Sequence, residues 1–148
     1  PALPKPAQDR IPVLIGGHGP TRTPRLAARF ADEFNLPFGS VEDSERQFAR
    51  VRAAAEEAGR EAGAITLSNA LVVCVGKDDQ EVARRAAAIG READELRANG
   101  LAGTPAEVVE KIGRYTEAGS QRLYLQILDL HDLDHLELIS SQVQSQLS

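Results

Sequence analysis

Four short apolar runs, each followed by a stretch in which apolar residues recur at helical spacing, set the pattern of this chain. The first run, Ile11 to Ile15, is aliphatic and stops at Gly16-Gly17-His18-Gly19-Pro20, as expected of a buried strand entering a tight turn. Thr21 or Thr23 then predicts a cap, with Pro24 in the first turn of a helix that runs to about Ala31. A second strand is centred on Phe34-Asn35-Leu36 within 32–38 and closed by Pro37-Phe38-Gly39. Ser40 with Asp43 marks a helix start, Phe48, Val51, Ala55 and Ala58 fall near helical spacing, and Gly59 ends it.

The third strand, Ile65 to Val75, finishes in the continuous run Leu71-Val72-Val73-Cys74-Val75, the pattern of a parallel strand covered on both faces. Asp78 with Glu81 caps an alanine-rich helix through Ile89, and Arg91 to Asn99 predicts a second short one. Thr104-Pro105-Ala106-Glu107 combines an N-cap threonine, proline at the first helical position and glutamate at the third. Val108, Ile112 and Tyr115 form the stripe of that helix, and Gly119 ends it. Arg122 to Leu128 is the fourth strand, and a last helix runs from about Leu133 to Gln146. Strands alternating with helices imply an α/β fold with a parallel sheet and right-handed crossovers. Four such units make either a small doubly wound sheet or half of an eight-stranded barrel.

Composition narrows the function classes. A chain of 148 residues with 42% apolar and 26% charged side chains has material for one globular core. The net charge of -5 gives no electrostatic reason to expect nucleic acid or an anionic membrane, which leaves a small molecule or a protein as partner. A lone cysteine, no apolar run near the roughly 20 residues of a bilayer span and no leader pattern lead to an expected cytoplasmic location. The sequence holds no methionine and opens Pro1-Ala2-Leu3-Pro4-Lys5-Pro6. It therefore reads as a piece of a longer chain, with 1–10 a linker and 11–148 the folded unit.

Chemistry concentrates at strand ends. Gly16-Gly17-His18-Gly19 joins a strand to a helix start, where free N–H groups and the helix dipole favour a phosphate; a plain turn needing positive φ explains the spacing equally well. The turn lacks the Lys-Ser/Thr ending of a nucleoside-triphosphate loop and the six-position dinucleotide spacing. His131 and His135 are four apart, but the interleaved Asp129, Asp132 and Asp134 read better as an acidic helix start, so no metal is expected. Cys74, in the most apolar strand, is expected to be buried and inert. Asn35, Gln126 and Asp129 are the polar groups that strand ends would present to a pocket. No catalytic residue is assignable.

Three segments taken in order, 11–20, 25–35 and 101–109, resemble the C-terminal half of the luciferase-like superfamily, and the similarity spans nearly all of the chain from Ile11 onward. The resemblance implies the second half of a (β/α)8 TIM barrel belonging to an oxidoreductase that passes a hydride between coenzyme F-420, a deazaflavin, and an organic substrate. FMN, as in a monooxygenase, is the alternative cofactor. It implies cofactor-phosphate contacts from Gly16, Gly17 and Gly19, with His18 in the variable place of the turn. Most residues that hold the isoalloxazine ring belong to the first half, so this chain alone is expected to be inactive and to have the missing N-terminal half as its partner. Two readings compete: a non-catalytic half-barrel that forms a homo-oligomer through its sheet edges, and a small phosphate-binding module.

Overall fold

The computed structural model describes residues 3–4, 7–61 and 63–147. Five strands and six α-helices follow one another: β1 (Leu14–Gly16), α1 (Arg22–Phe30), β2 (Glu33–Pro37), α2 (Val41–Glu57), β3 (Thr66–Val75), α3 (Asp79–Ala88), α4 (Ala93–Asn99), β4 (Leu101–Gly103), α5 (Pro105–Glu117), β5 (Arg122–Gln126) and α6 (Leu133–Gln142). A 3-10 turn, Gln144–Gln146, closes the described chain. All strand pairs are parallel, in the order β1-β2-β3, with β5 and β4 also paired to β3.

Local chemistry accounts for the helix starts. Ser40, Asp78, Thr104 and Asp132 each accept a hydrogen bond from the N–H three residues on. Thr104 and Glu107 form a reciprocal capping box ahead of Pro105. The end of α1 is held from a distance: the Arg60 guanidinium donates to the carbonyls of Ala31 (2.7 Å) and Ala28 (3.2 Å), two of the oxygens that a helix end leaves without partners.

Several features differ from the pattern read along the chain, among them β5, which stops at Gln126 instead of Leu128 because its ladder on β3 ends at Val72. β1 begins at Leu14 instead of Ile11, because its neighbour β2 starts at Glu33, opposite Leu14, and offers nothing earlier to pair with. Ile11 is accordingly 64% exposed. A fifth strand, β4, is present; three residues are too few to show a period, and it exists because β3 overruns the end of β2 and leaves Val73–Val75 in need of a partner. The last helix stops at Gln142 and tightens into the 3-10 turn.

Helices α1 and α2 cover one face of the sheet through Ala27, Ala28, Phe48 and Val51, packed on Phe34, Leu36 and Leu67. Phe34 and Phe48 meet edge to face, ring centroids 6.2 Å apart. Helices α5 and α6 continue the layer over β3 and β5 with Val108, Ile112, Tyr115, Leu138 and Ile139. The other face is covered only at the far end of β3, where Val72 and Cys74 pack on Val82, Ala86 and Leu96 of α3 and α4. Elsewhere that face is open, with Leu14 and Tyr124 51% and 41% exposed. A doubly wound sheet would carry helices on both faces along its length. One helical layer outside a curved parallel sheet is the half-barrel arrangement.

Candidate functional site at the strand ends

The C-terminal ends of the strands form one rim, and the glycine turn after β1 is its most constrained part. Gly16 sits opposite Asn35, and a β-carbon on it would lie 3.0 Å from the Asn35 carbonyl oxygen. Gly17 has φ +139°, a conformation that side chains disfavour, and donates its N–H to that same carbonyl at 3.2 Å. A β-carbon on Gly19 would come within 2.5 Å of Thr23 Oγ1. The turn is therefore a backbone cradle that added β-carbons would crowd or strain. Two side chains brace it from below. His18 Nε2 bonds to the Pro37 carbonyl at 2.7 Å, which requires the proton on Nε2, and Gln47 Nε2 donates to the Gly19 carbonyl at 2.8 Å.

Helix α1 leaves this cradle with an unusual N-terminus. Its cap, Thr21, makes no side-chain cap bond and no acidic residue occupies its first turn, whereas exposed Arg22 and Arg25 do stand near it. Every other α-helix among the described residues has a carboxylate in its first turn. The positive helix end is thus left uncompensated and reinforced by two guanidinium groups, an arrangement that suits an anion. The cradle and this helix start could together hold a phosphate group.

Asn35 is buried on the inner face of β2, where its amide donates to Ser68 Oγ at 2.9 Å, and Ser68 Oγ donates to the Phe34 carbonyl at 3.2 Å. Register continues this row from Gly16 through Asn35 and Ser68 to Arg122. Arg122 pairs with Glu33 and donates to the Tyr124 hydroxyl at 3.2 Å, so the open face has a polar floor. Gln126 ends β5, exposed and opposite Val72 on the same face. Asp129 lies elsewhere: its carboxylate accepts from the His131 N–H at 3.0 Å, and it lines a narrow crevice with Arg85, Asp132 and His135. Gly16, Asn35 and Gln126 thus share one surface, while Asp129 is separate from them.

That crevice holds a polar cluster joined by several hydrogen bonds. Val75 ends β3 without a strand beyond β5 to pair with, and side chains replace the missing partner. Its N–H donates to His135 Nε2 at 2.9 Å and its carbonyl accepts from Arg85 Nη1 at 2.7 Å. Arg85 Nε also donates to Asp132 at 2.8 Å, and Asp132 caps α6 through the His135 N–H at 2.9 Å. Burial, followed by the Arg85 charge, holds His135 below the usual imidazole range; the Arg85 hydrogen bond is the first cause that lowers Asp132. His131 is exposed, and the Nε2 of His135 is already committed, so the pair does not converge. Burial pushes the Cys74 thiol up, which removes thiolate at neutral pH.

Phe38, Ser68 and the Glu33–Arg122 pair escape a reading of the sequence. Phe38 is a bulky residue at φ +53°, 54% exposed on the rim beside Pro37. Glu33 and Arg122 are 89 positions apart and meet only through register. Arg22 and Arg25, in a helix start without any acid, are the signal that local charge could have given.

The fold defines half of a parallel (β/α) barrel with an anion-suited rim. A profile of the luciferase-like monooxygenase family matches residues 1–99, and the chain belongs to that family. Among solved structures it is similar to the coenzyme F420 dependent tetrahydromethanopterin reductase from Methanopyrus kandleri, at 18% identity and a TM-score of 0.76, covering 93% of this chain and 51% of that one. An F420-dependent secondary alcohol dehydrogenase matches at 15% identity and a TM-score of 0.78, covering 97% and 51%. The EDTA monooxygenase from Chelativorans sp. BNC1 matches at 23% identity and 0.75, covering 98% and 46%. The chain therefore spans about half the length of these structures. No curated protein matches the sequence. Among the described residues no helix is long and apolar enough to cross a membrane.

Proposed function

We propose that residues 11–148 are the C-terminal half of a barrel oxidoreductase that takes coenzyme F-420, with residues 1–10 as the linker leading into it. In this reading Gly16, Gly17 and Gly19 shape the turn that lets the cofactor phosphate approach the N-terminal amides of α1, the Gly17 N–H itself being committed to the Asn35 carbonyl, and Asn35 and Gln126 face the substrate side. His18 acts from below, fixing the turn to Pro37. One observation carries the reading: α1, directly after the glycine cradle, is the one α-helix among the described residues with neither a first-turn carboxylate nor a side-chain cap, and it carries Arg22 and Arg25 instead. Family membership and the F420-dependent neighbours support the cofactor class.

The bound coenzyme would supply hydride transfer to or from an organic substrate. This chain would bind and orient it: the cradle neutralises the phosphate, and the row Asn35–Ser68 keeps a fixed polar surface at the rim. The ring and most of the substrate pocket require the N-terminal half of the barrel, so the chain alone is expected to be inactive. FMN is the second reading, favoured by the match to a monooxygenase family. A cytoplasmic location goes with either, and the buried unpaired thiol of Cys74 is compatible with it.

Fluorescence titration with F-420 and with FMN tests the proposal, using this chain alone and mixed with the N-terminal half of a luciferase-like barrel. Tight F-420 binding in the mixture, weakened about ten-fold or more by Arg22→Glu with Arg25→Glu, supports it. FMN binding instead selects the second reading. No binding of either cofactor in the mixture refutes both.

A further inference from the structure

Phe38 is the one non-glycine residue among those described whose φ is positive, at +53°. A bulky side chain in this left-handed region crowds the backbone, and glycine or asparagine would take the same conformation at lower cost. Burial does not offset that cost: the ring is 54% exposed and belongs to none of the three core clusters. Nor does a raw sheet edge account for the exposure, because β2 has β1 on one side and β3 on the other.

The surroundings hold this strained residue in place. The two carbonyls before it and the two after it each accept from a side chain: Leu36 from Asn69 Nδ2 at 3.0 Å, Pro37 from His18 Nε2 at 2.7 Å, Gly39 from the Tyr115 hydroxyl at 3.0 Å and Ser40 from Ser44 Oγ at 2.7 Å. Asn69 also donates to Ser44 Oγ at 2.9 Å, which joins two of these clamps, and Phe38 donates its own N–H to the Ala70 carbonyl at 2.9 Å. Asn69, Ser44 and Tyr115 are buried and come from β3, α2 and α5. Buried polar side chains cost free energy unless they are bonded, and these three all bond to one short loop. A strained residue that its neighbours over-determine in this way is characteristic of a ligand clamp. A ring fixed in advance also loses little freedom when a ligand reaches it.

The location of Phe38 selects the ligand. His18, which clamps the Pro37 carbonyl, is part of the glycine turn after β1, and the Gly17 N–H of that turn is bonded to Asn35 of β2. The anion-suited turn and the loop that carries Phe38 are therefore fixed to each other by two hydrogen bonds. We propose that Phe38 is a binding residue, its ring contacting the planar organic part of the ligand whose phosphate approaches the turn. The proposal rests on the phosphate-ligand reading above and adds a ring contact supplied by this half of the barrel. An exposed aromatic face suits a flat, largely apolar ring system, and its geometry rewards a partner of the same kind.

Two measurements separate strain from contact. Urea unfolding of the chain alone compares Phe38→Gly with Phe38→Ala, and the glycine variant is expected to fold with an equilibrium constant about three- to ten-fold larger, since only alanine keeps the strain. Equal stability overturns the proposal. Fluorescence titration with F-420 and with FMN, in the mixture with the N-terminal half of a luciferase-like barrel, then compares the parent with Phe38→Gly, Phe38→Ala and Phe38→Tyr. For the cofactor that the parent binds, glycine and alanine are each expected to raise Kd about ten-fold or more, and tyrosine to leave it within about two-fold. Inorganic phosphate should compete equally well in all four, because the turn is intact. Parent-like affinity in the alanine variant, an equal loss of phosphate binding, or weaker assembly of the halves with Kd unchanged overturns the ring contact and leaves the cofactor site standing. A parent mixture that binds neither cofactor overturns the site and the contact together.

Discussion

His135 is the residue whose contribution can be worked out most fully. Its Nε2 is the acceptor for the Val75 N–H, at a point where β3 has outrun β5 and no strand can take that bond. His135→Ala leaves the N–H buried without a partner, at about 1–3 kcal/mol, and opens a hole beside Leu138 and Ile139. The combined loss is about 2–5 kcal/mol. For a chain of this size that lowers Tm by roughly 4–20 °C. His135→Gln can still present an oxygen to Val75, but it cannot titrate.

The pH dependence has a definite sign. Burial first and Arg85 second depress the folded pKa of His135, while Asp132, Glu81 and Asp129 oppose the shift. The unfolded chain takes up the proton near its ordinary value of about 6.5, and the folded chain resists it. The stabilisation is therefore complete above about pH 6.5 and declines as the pH falls below it toward the depressed folded value. Urea unfolding of the parent, His135→Ala and His135→Gln at fixed protein concentration, from about pH 8 to pH 5.5, separates the terms. Across this range the parent should lose stability more steeply than His135→Gln. An alanine variant within about 1 kcal/mol of the parent at pH 8, or equal slopes for parent and glutamine variant, would refute the assignment of His135 as the neutral acceptor for β3.

Other consequences are simpler to check. Phe48→Ala removes the ring that meets Phe34 edge to face and should cost about 3–5 kcal/mol in urea unfolding. Thr104→Ala breaks the capping box before α5 and should cost about 0.5–2 kcal/mol, lowering the denaturation midpoint without changing the slope. Gly17→Ala forces a side chain into φ +139°, with an expected cost of about 1–3 kcal/mol and weaker binding of inorganic phosphate at the turn. Cys74, 1% exposed with its pKa raised by burial, should react with a disulfide reagent only after denaturant is added; prompt reaction of the folded chain would contradict its placement.

The half-barrel also explains why so much of its polar chemistry lies at one end. Backbone groups at strand ends have no further ladder partner, so the rim must satisfy them with turns, side chains or ligands. At Val75 the solution is internal, through His135 and Arg85. At the end of β1 the chain instead tightens into the glycine cradle and leaves the α1 amides available, which is why the two ends of the rim differ in what they can bind.

How much was legible beforehand follows the range of the interactions involved. Ser40, Asp78 and Thr104 announce their helices because a cap and its N–H are three residues apart, and the run Leu71 to Val75 announces a covered strand because its neighbours share its chemistry. The fourfold alternation of strand and helix likewise determined a parallel α/β fold. Tertiary structure alone decided which half of the possibilities was taken. Only one helical layer covers most of the sheet, and that depends on how β5 joins β3. The pairs that shape the site are remote: Asn35 with Ser68 across 33 positions, His135 with Val75 across 60, and Glu33 with Arg122 across 89. Each depends on strand register or on where one strand stops, and a shift of one residue would turn every side chain to the opposite face. Periodicity and capping record what a segment can form by itself; the meeting of distant side chains is set when the strands align.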